Sequence, residues 1–320
     1  MPATRDAALN RIRLRHLQCF LAVAEARNLR RAAEALAVSQ PAVTKTLNEL
    51  EEILGVRLFE RGRGGARPTP EAELFLRHAS ASVQSLAQAV DAMLRGRDEA
   101  LPLRIGALPT VAPSVLPRVL RAYRAARPGA ELRVITGRNA LLLDALRARE
   151  LDAVIGRMAE PDEMVGLTFE LLFSEPLVMV ARAGHALARA KRLNAAAIGE
   201  QPLVLPLAGT IIRHSADSFL RAHGVVPHGG LTETLSVALA RSLALAGDAL
   251  WITPLAAVEG DLASGALVRL PLRSEGTEEP VGLLLRNDAP ASAALAALVG
   301  AIREEAATRR EMLRSPPAAV

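Results

Sequence analysis

Gln40, Thr44 and Asn48 stand four residues apart, and Lys45 lies beside Thr44. At that spacing two amides, a hydroxyl and an ammonium share one face of a helix. Those are the groups that read base edges in the major groove of DNA. The helix itself is well marked. Ser39 can cap its free backbone donors, and Pro41 falls in the first turn, where its missing N–H costs little. Val43, Leu47, Leu50 and Leu54 recur at steps of four, three and four, an apolar stripe for a core. Gly55 predicts the stop. Val56–Phe59 predicts a short strand entering the turn Arg61-Gly62-Arg63-Gly64-Gly65-Ala66-Arg67. Arg61, Arg63 and Arg67 suit phosphate or minor-groove contact, and the glycines allow close approach to a backbone. Each part has a plainer reading, as a surface helix with a solvated polar face and as a solvated basic turn. Their succession is what favours DNA, with Ser39 and Pro41 at the helix start as further contact candidates.

Two shorter helices must position this one. Leu14, Leu17, Leu21 and Ala24, with Phe20 alongside, give the stripe of a first helix. Asn28 caps a second, Leu29–Ala37, whose Ala32, Ala33 and Leu36 permit close packing, and Val38-Ser39 makes the turn. Three helices and a strand–turn–strand predict a winged helix–turn–helix over residues 1–69. Thr69-Pro70-Glu71 then starts a helix that runs to about Arg97, within a linker of residues 70–98. Along it Ala72, Leu76, Ala79, Val83, Leu86, Val90 and Met93 alternate steps of four and three. This heptad seam makes Leu76, Val83, Leu86 and Val90 candidates for dimerisation, the alternative being a helix packed on its own domain. A dimer suits DNA, because paired recognition helices meet half-sites about 34 Å apart or a multiple of that.

From Leu103 strands and helices alternate. Leu103–Gly106, a helix ending before Pro128, Glu131–Thr136, a helix over Leu141–Arg149 and Leu151–Ile155 form a βαβαβ run. That order implies a parallel, doubly wound sheet with ligands beyond the carboxyl ends of its strands. A second set follows: strands at residues 176–182 and 202–206, helices Ile211–His223 and Leu235–Ala246, and strands at residues 249–254 and 281–286. A last helix spans about Ala291–Glu305. The fold class expected is α/β, an effector domain of two lobes over residues 99–320 behind an all-α winged N-terminal domain. Lobe I takes about 102–175 and 289–312, and lobe II about 176–288. The ends, Met1–Asn10 and Ser315–Val320, read as loose tails.

Composition excludes several classes. The chain has 320 residues, half of them hydrophobic and 23% charged, so it is globular and long enough for two or three domains. A net charge of +5 permits a polyanionic partner. Aromatics at 2% are too few for base-stacking platforms that grip single strands or RNA. The single cysteine, Cys19, sits in a helical apolar pattern and reads as a small core residue. The start, MPATRDAALNR, lacks the apolar core of a signal peptide, and Ala289–Ile302 is too short to span a bilayer, so the cytoplasm is expected and no membrane. No GxGxxG, P-loop, GxSxG or HExxH occurs, and His214, His223 and His228 lack metal-ligand spacing. Neither enzyme chemistry nor any cofactor or metal is expected. The rival classes are a ligand-responsive DNA-binding regulator, a cytoplasmic small-molecule binder and an uncharacterised enzyme.

The stretch AAEALAVSQPAVTKTLNELEEILGVRLFERGRGGARPTPEAELFL resembles the LysR-type transcriptional regulators, and the resemblance extends over essentially the whole chain. RHLQCFLAVAE, LRIGALPTVAPSVLP, ITGRNALLLDALRARELDAVIGR and FSEPLVMVARAGH are similar, more particularly, to regulators of protocatechuate catabolism; regulators of sugar uptake share parts of them. Glu71-Ala72-Glu73 departs from the family, which usually ends this signature with a glycine. The resemblance implies a winged domain, a linker helix and an effector domain like the periplasmic binding proteins. It implies double-stranded operator DNA, a small carboxylated effector, RNA polymerase and a second or fourth copy of the chain as partners. By the same resemblance Gln40, Thr44 and Lys45 match positions that contact bases or phosphates, and Arg61 and Arg63 match the wing. Thr110 matches a ligand-binding hydroxyl. Arg138 and Asn139 match the second loop, with Thr136 just before them as a further effector-binding candidate, and Gly209-Thr210 match the loop of the second lobe. Arg213 is placed as a carboxylate partner. Hydroxyls and backbone donors at helix starts, with guanidinium forks, suit an acid.

Overall fold

The computed structural model describes residues 5–62, 65–94, 102–190, 193–288 and 292–314. The chain divides into two compact units, residues 1–101 with 147–150, and residues 102–146 with 151–320.

The first unit runs α1 (Arg5–Arg11), α2 (Leu14–Ala26), α3 (Leu29–Ala35), α4 (Gln40–Leu54), β1 (Phe59–Gly62), β2 (Gly65–Pro68) and α5 (Pro70–Leu94). Helix α1 replaces part of the expected loose tail, with Asp6 in its first turn and Arg11 in its last, each of the sign its helix end favours. Helix α2 is one position out of phase with the expected stripe. Its buried residues are His16, Cys19, Phe20 and Val23, while Leu14 is exposed. Phe20 sets that phase, because its ring meets Phe59 at 5.5 Å and Phe75 at 5.1 Å between centroids. Helix α3 stops at Ala35, two residues short of the expectation, since Ala37 turns left-handed at φ 54°.

Helix α4 begins and ends as its sequence dictates. The Ser39 hydroxyl accepts the Ala42 N–H at 3.4 Å, and left-handed Gly55 donates its N–H to the Glu51 carbonyl at 2.8 Å. Val43, Leu47 and Leu50 are buried, and Leu54 packs partly buried against the same core. Buried Glu51 ties the helix to the wing: its carboxylate accepts the Leu58 and Phe59 N–H groups at 2.8 and 3.2 Å and the Arg57 guanidinium at 2.9 Å. In the wing β1 and β2 pair antiparallel. Gly65 has φ +103°, and a Cβ there would lie 2.5 Å from the Arg27 carbonyl, which also accepts the Ala66 N–H, so no side chain fits. Thr69 caps α5 by accepting the Ala72 N–H at 3.2 Å. Ala72 and Ala79 are buried and Leu76 partly so, whereas Leu86, Val90 and Met93 stand exposed. Residues 95–97 of the expected linker helix lie outside the described part.

The second unit holds two five-stranded sheets. Its elements are β3 (Leu103–Ala107), α6 (Ala112–Ala126), β4 (Leu132–Thr136), α7 (Asn139–Arg147), β5 (Ala153–Gly156), β6 (Leu167–Glu175), β7 (Leu177–Arg182), α8 (Ala195–Gly199), β8 (Leu203–Leu205), α9 (Ile211–Ala222), β9 (Leu231–Glu233), α10 (Val237–Ala246), β10 (Leu250–Pro254), α11 (Glu259–Ala263), β11 (Leu267–Arg269), β12 (Glu279–Arg286) and α12 (Ala293–Arg314). The first lobe's order is β4-β3-β5-β12-β6, the second's β11-β7-β10-β8-β9. The βαβαβ run is parallel as expected. Strand β12, expected in the second set, instead lies in the first sheet, antiparallel to both β5 and β6. Its run Val281–Leu284 is buried throughout, which demands a place inside a sheet covered on both faces. The chain therefore crosses between lobes at Glu175-Pro176 and again just before Glu279, earlier than residue 289. Strand β6, absent from the sequence reading, closes that edge.

Candidate functional site

Two faces gather the residues that could do chemistry. On α4, a groove is lined by Gln40, Pro41, Thr44, Lys45, Asn48, Glu49 and Glu52. Gln40, Pro41, Lys45 and Asn48 are exposed and Thr44 is half-buried. A second hollow brings Gln40 together with Asn28, Arg30, Gly62 and Gly65, so the helix start and the base of the wing adjoin. Arg67, on β2, is exposed opposite Glu60. Arg63 and the Arg61 side chain lie outside the described part. Sequence reasoning passed over Glu49. Its carboxylate takes Arg15 at 3.2 Å and His16 at 3.3 Å, both from α2.

Between the two lobes lies a cleft of about 520 Å³. The first lobe presents Leu108–Thr110 after β3, Gly137–Asn139 after β4, and Arg157 and Met158 after β5; the second presents Gly209 and Thr210 after β8 and Ser236 before α10. These are the carboxyl ends of strands, where an α/β sheet binds ligands. Thr110 lines the cleft on the first-lobe wall. Its hydroxyl is buried and has no hydrogen-bond partner among the described residues, an unmet cost unless a ligand supplies one. Arg138 is exposed on the same wall, and Gly209 allows the facing turn with φ +76°.

Four candidates behave differently. Thr136 is exposed and absent from the cleft wall. Asn139 lines it, but its amide is committed to the Arg157 backbone, donating at 3.0 Å and accepting at 2.9 Å; it brackets two loops together. Thr210 spends its hydroxyl on capping α9, accepting the Arg213 N–H at 3.2 Å and donating to the Leu207 carbonyl at 2.8 Å. Arg213 does not reach the cleft. Its guanidinium pairs with Glu233 and, at 2.8 Å, with Asp217, and these two hold it more firmly protonated than usual. A carboxylate one turn on and another at the end of β9 have taken the fork assigned to a ligand.

Arg157 escaped sequence reasoning. It is 2% exposed and lies 3.8 Å from Glu175 and 3.6 Å from Glu279, the two glutamates at the lobe crossovers, which face each other in register. It also donates to the Pro280 carbonyl at 3.2 Å. From the second lobe, the Ala256 N–H reaches Glu175 at 2.8 Å and the Ser215 hydroxyl bonds Glu279. Burial pushes Glu175 up to about 6. The available signal was an arginine ending the apolar strand VIG, and a glutamate in FSEP just before a proline.

Residues 14–73 match the model of bacterial regulatory helix-turn-helix proteins of the lysR family, and residues 96–307 match the LysR substrate binding domain. The chain belongs to the LysR family. This LysR-type protein is a DNA-binding transcriptional regulator that responds to a small molecule, and not an enzyme. The HTH-type transcriptional regulator PcaQ of Agrobacterium fabrum is 42% identical over 297 residues, 92% of this chain and 96% of that protein. An uncharacterised regulator of Escherichia coli, YdcI, is 41% identical over the same shares. Among solved structures, a full-length OxyR variant from Pseudomonas aeruginosa superposes with a TM-score of 0.62 at 26% identity, covering 91% of this chain and 95% of its own. Like other LysR regulators, the protein forms oligomers. No helix among the described residues is long and apolar enough to cross a membrane.

Proposed function

We propose that this regulator controls, from the cytoplasm, a catabolic operon for protocatechuate or a related aromatic acid, and that a small carboxylated intermediate of that pathway binds between the lobes. The buried Thr110 hydroxyl in the cleft carries this reading, since it needs an acceptor that none of the described residues supplies. Arg138 on the same wall adds a cation for a carboxylate. The likeness to PcaQ supports the pathway.

In this reading residues 1–69 bind operator DNA, with Gln40, Thr44, Lys45 and Asn48 at bases and Ser39, Pro41, Arg61, Arg63 and Arg67 along the backbone. Residues 70–98 pair two chains through Leu76, Val83, Leu86 and Val90, and residues 99–320 sense the effector. Tetramers and a contact with RNA polymerase complete the assembly. Calorimetry of the full-length protein with the acids of the pathway tests the ligand. Thr110→Val removes one hydrogen bond to a charged ligand, worth about 1.5–3 kcal/mol, so the dissociation constant rises about tenfold to a hundredfold. An unchanged constant, or no binding of any pathway acid, rejects the assignment.

A further inference from the structure

A carboxylate is out of place on a DNA-binding face. Phosphates repel it, yet Glu49 lies in the α4 groove one turn beyond Lys45 and next to Asn48. We propose that Glu49 reads a cytosine in the operator, accepting a hydrogen bond from the N4 amino group in the major groove. The inference rests on α4 being the recognition helix.

The carboxylate is already positioned for the task. His16 is buried, and its Nδ1 accepts the Arg13 N–H at 3.1 Å, so the ring proton sits on Nε2. That proton is donated to Glu49 Oε2 at 3.3 Å, and the Arg15 guanidinium donates to the same oxygen at 3.2 Å. Among the described residues nothing donates to Oε1. One oxygen thus anchors the group to α2 and the other remains to accept. The hydrogen bond from His16 holds Glu49 below the usual carboxylate range, so it stays ionised and acceptor-only.

Base chemistry selects the partner. In the major groove guanine offers only acceptors, N7 and O6, and thymine the O4 acceptor beside a methyl group; the acceptors repel a carboxylate and the methyl gives it no hydrogen bond. Adenine has an amino donor, but N7 stands beside it as a further acceptor. Cytosine presents the amino donor alone. Arg15 offsets the charge that would otherwise be repelled by neighbouring phosphates, and a carboxylate fixed by two partners has little freedom left to lose on binding.

The test is selection from a pool of randomised duplexes by the full-length wild-type, Glu49→Gln, Glu49→Ala and Arg15→Ala proteins. Glu49→Gln can still accept the His16 proton, so its fold is kept. The wild-type motif should hold a fixed C·G pair that Glu49→Gln shifts toward adenine and Glu49→Ala leaves open to all four bases. The rest of the motif stays the same, and Arg15→Ala keeps the cytosine. Exchanging that pair in a single duplex should weaken wild type about tenfold or more, and Glu49→Ala hardly at all. If Glu49→Gln and Glu49→Ala select the wild-type motif, the proposal is overturned and Glu49 merely clamps α4 to α2. If wild type selects no motif, it is the recognition-helix reading that fails.

Discussion

Glu175 ends β6 opposite Glu279, and the two share Arg157, so two buried carboxylates answer one guanidinium. Arg309, Glu259 and the Ala256 N–H also act on Glu175. Burial, with a smaller push from the like charge of Glu259, outweighs the pull of Arg157, the Ala256 N–H and Arg309 and raises its pKa from 4.5 to about 6. An acid raised on folding favours the native state while protonated. That contribution is complete below about pH 4.5 and is lost as pH rises through 6, a change of about 2 kcal/mol. Glu175→Gln, which keeps an acceptor for Ala256 and has no charge to bury, should therefore match wild type near pH 4.5 and exceed it by about 2 kcal/mol at pH 7. Thermal melts of both proteins across that range check this, and a gap that does not grow with pH refutes it. Sequence could not show this cluster, because residues 157, 175 and 279 meet only when β5, β6 and β12 assemble. The Ser39 cap and the Gly55 stop were legible for the opposite reason: each acts on backbone within a turn of itself. Arg213 shows the limit between the two. Its position at a helix start was readable, but Glu233, twenty residues on, decides what it binds.

Helix α5 shows the same division among elements. The steps of four and three were plain in the sequence, but the surface covering each step was not. Ala72 and Ala79 are buried in the protein's own core, whereas Leu86 and Val90 are 47% and 48% exposed. Of the four dimerisation candidates, Leu86 and Val90 offer the most surface to a second chain, with Leu76 and Val83 partly open. Leu86→Glu places a charge in that seam, where burying it unpaired costs several kcal/mol. Sedimentation should then show smaller assemblies and operator binding should weaken, with the monomer's stability unchanged because Leu86 is exposed. A wild-type mass would mean that this face pairs with nothing. Helix α2 was misphased because Leu14, Leu17 and Leu21 offer as good a stripe as His16, Cys19, Phe20 and Val23, and only the rings of Phe59 and Phe75 choose between them. Strand β12 was misplaced because an apolar run records burial and not its neighbours.

At the scale of the whole molecule, the proposed function couples the α4 groove to the cleft between the lobes. A ligand can change the DNA-bound state only by preferring one arrangement of the protein over another. The cleft has walls from both lobes, and both crossovers beneath it carry a buried glutamate tied to Arg157. An acid held by Thr110 and Arg138 on one wall and by the turn at Gly209 on the other would favour the lobe spacing that fits it. The most direct measurement is a footprint of the protein on the DNA upstream of its own gene, with and without the carboxylated intermediates of protocatechuate breakdown. A protected site is expected in both cases, with its extent or pattern altered by one of the acids. Thr110→Val should give the acid-free pattern at an acid concentration sufficient for wild type. A footprint identical with and without every such acid, or no protection at all, would contradict the proposed function.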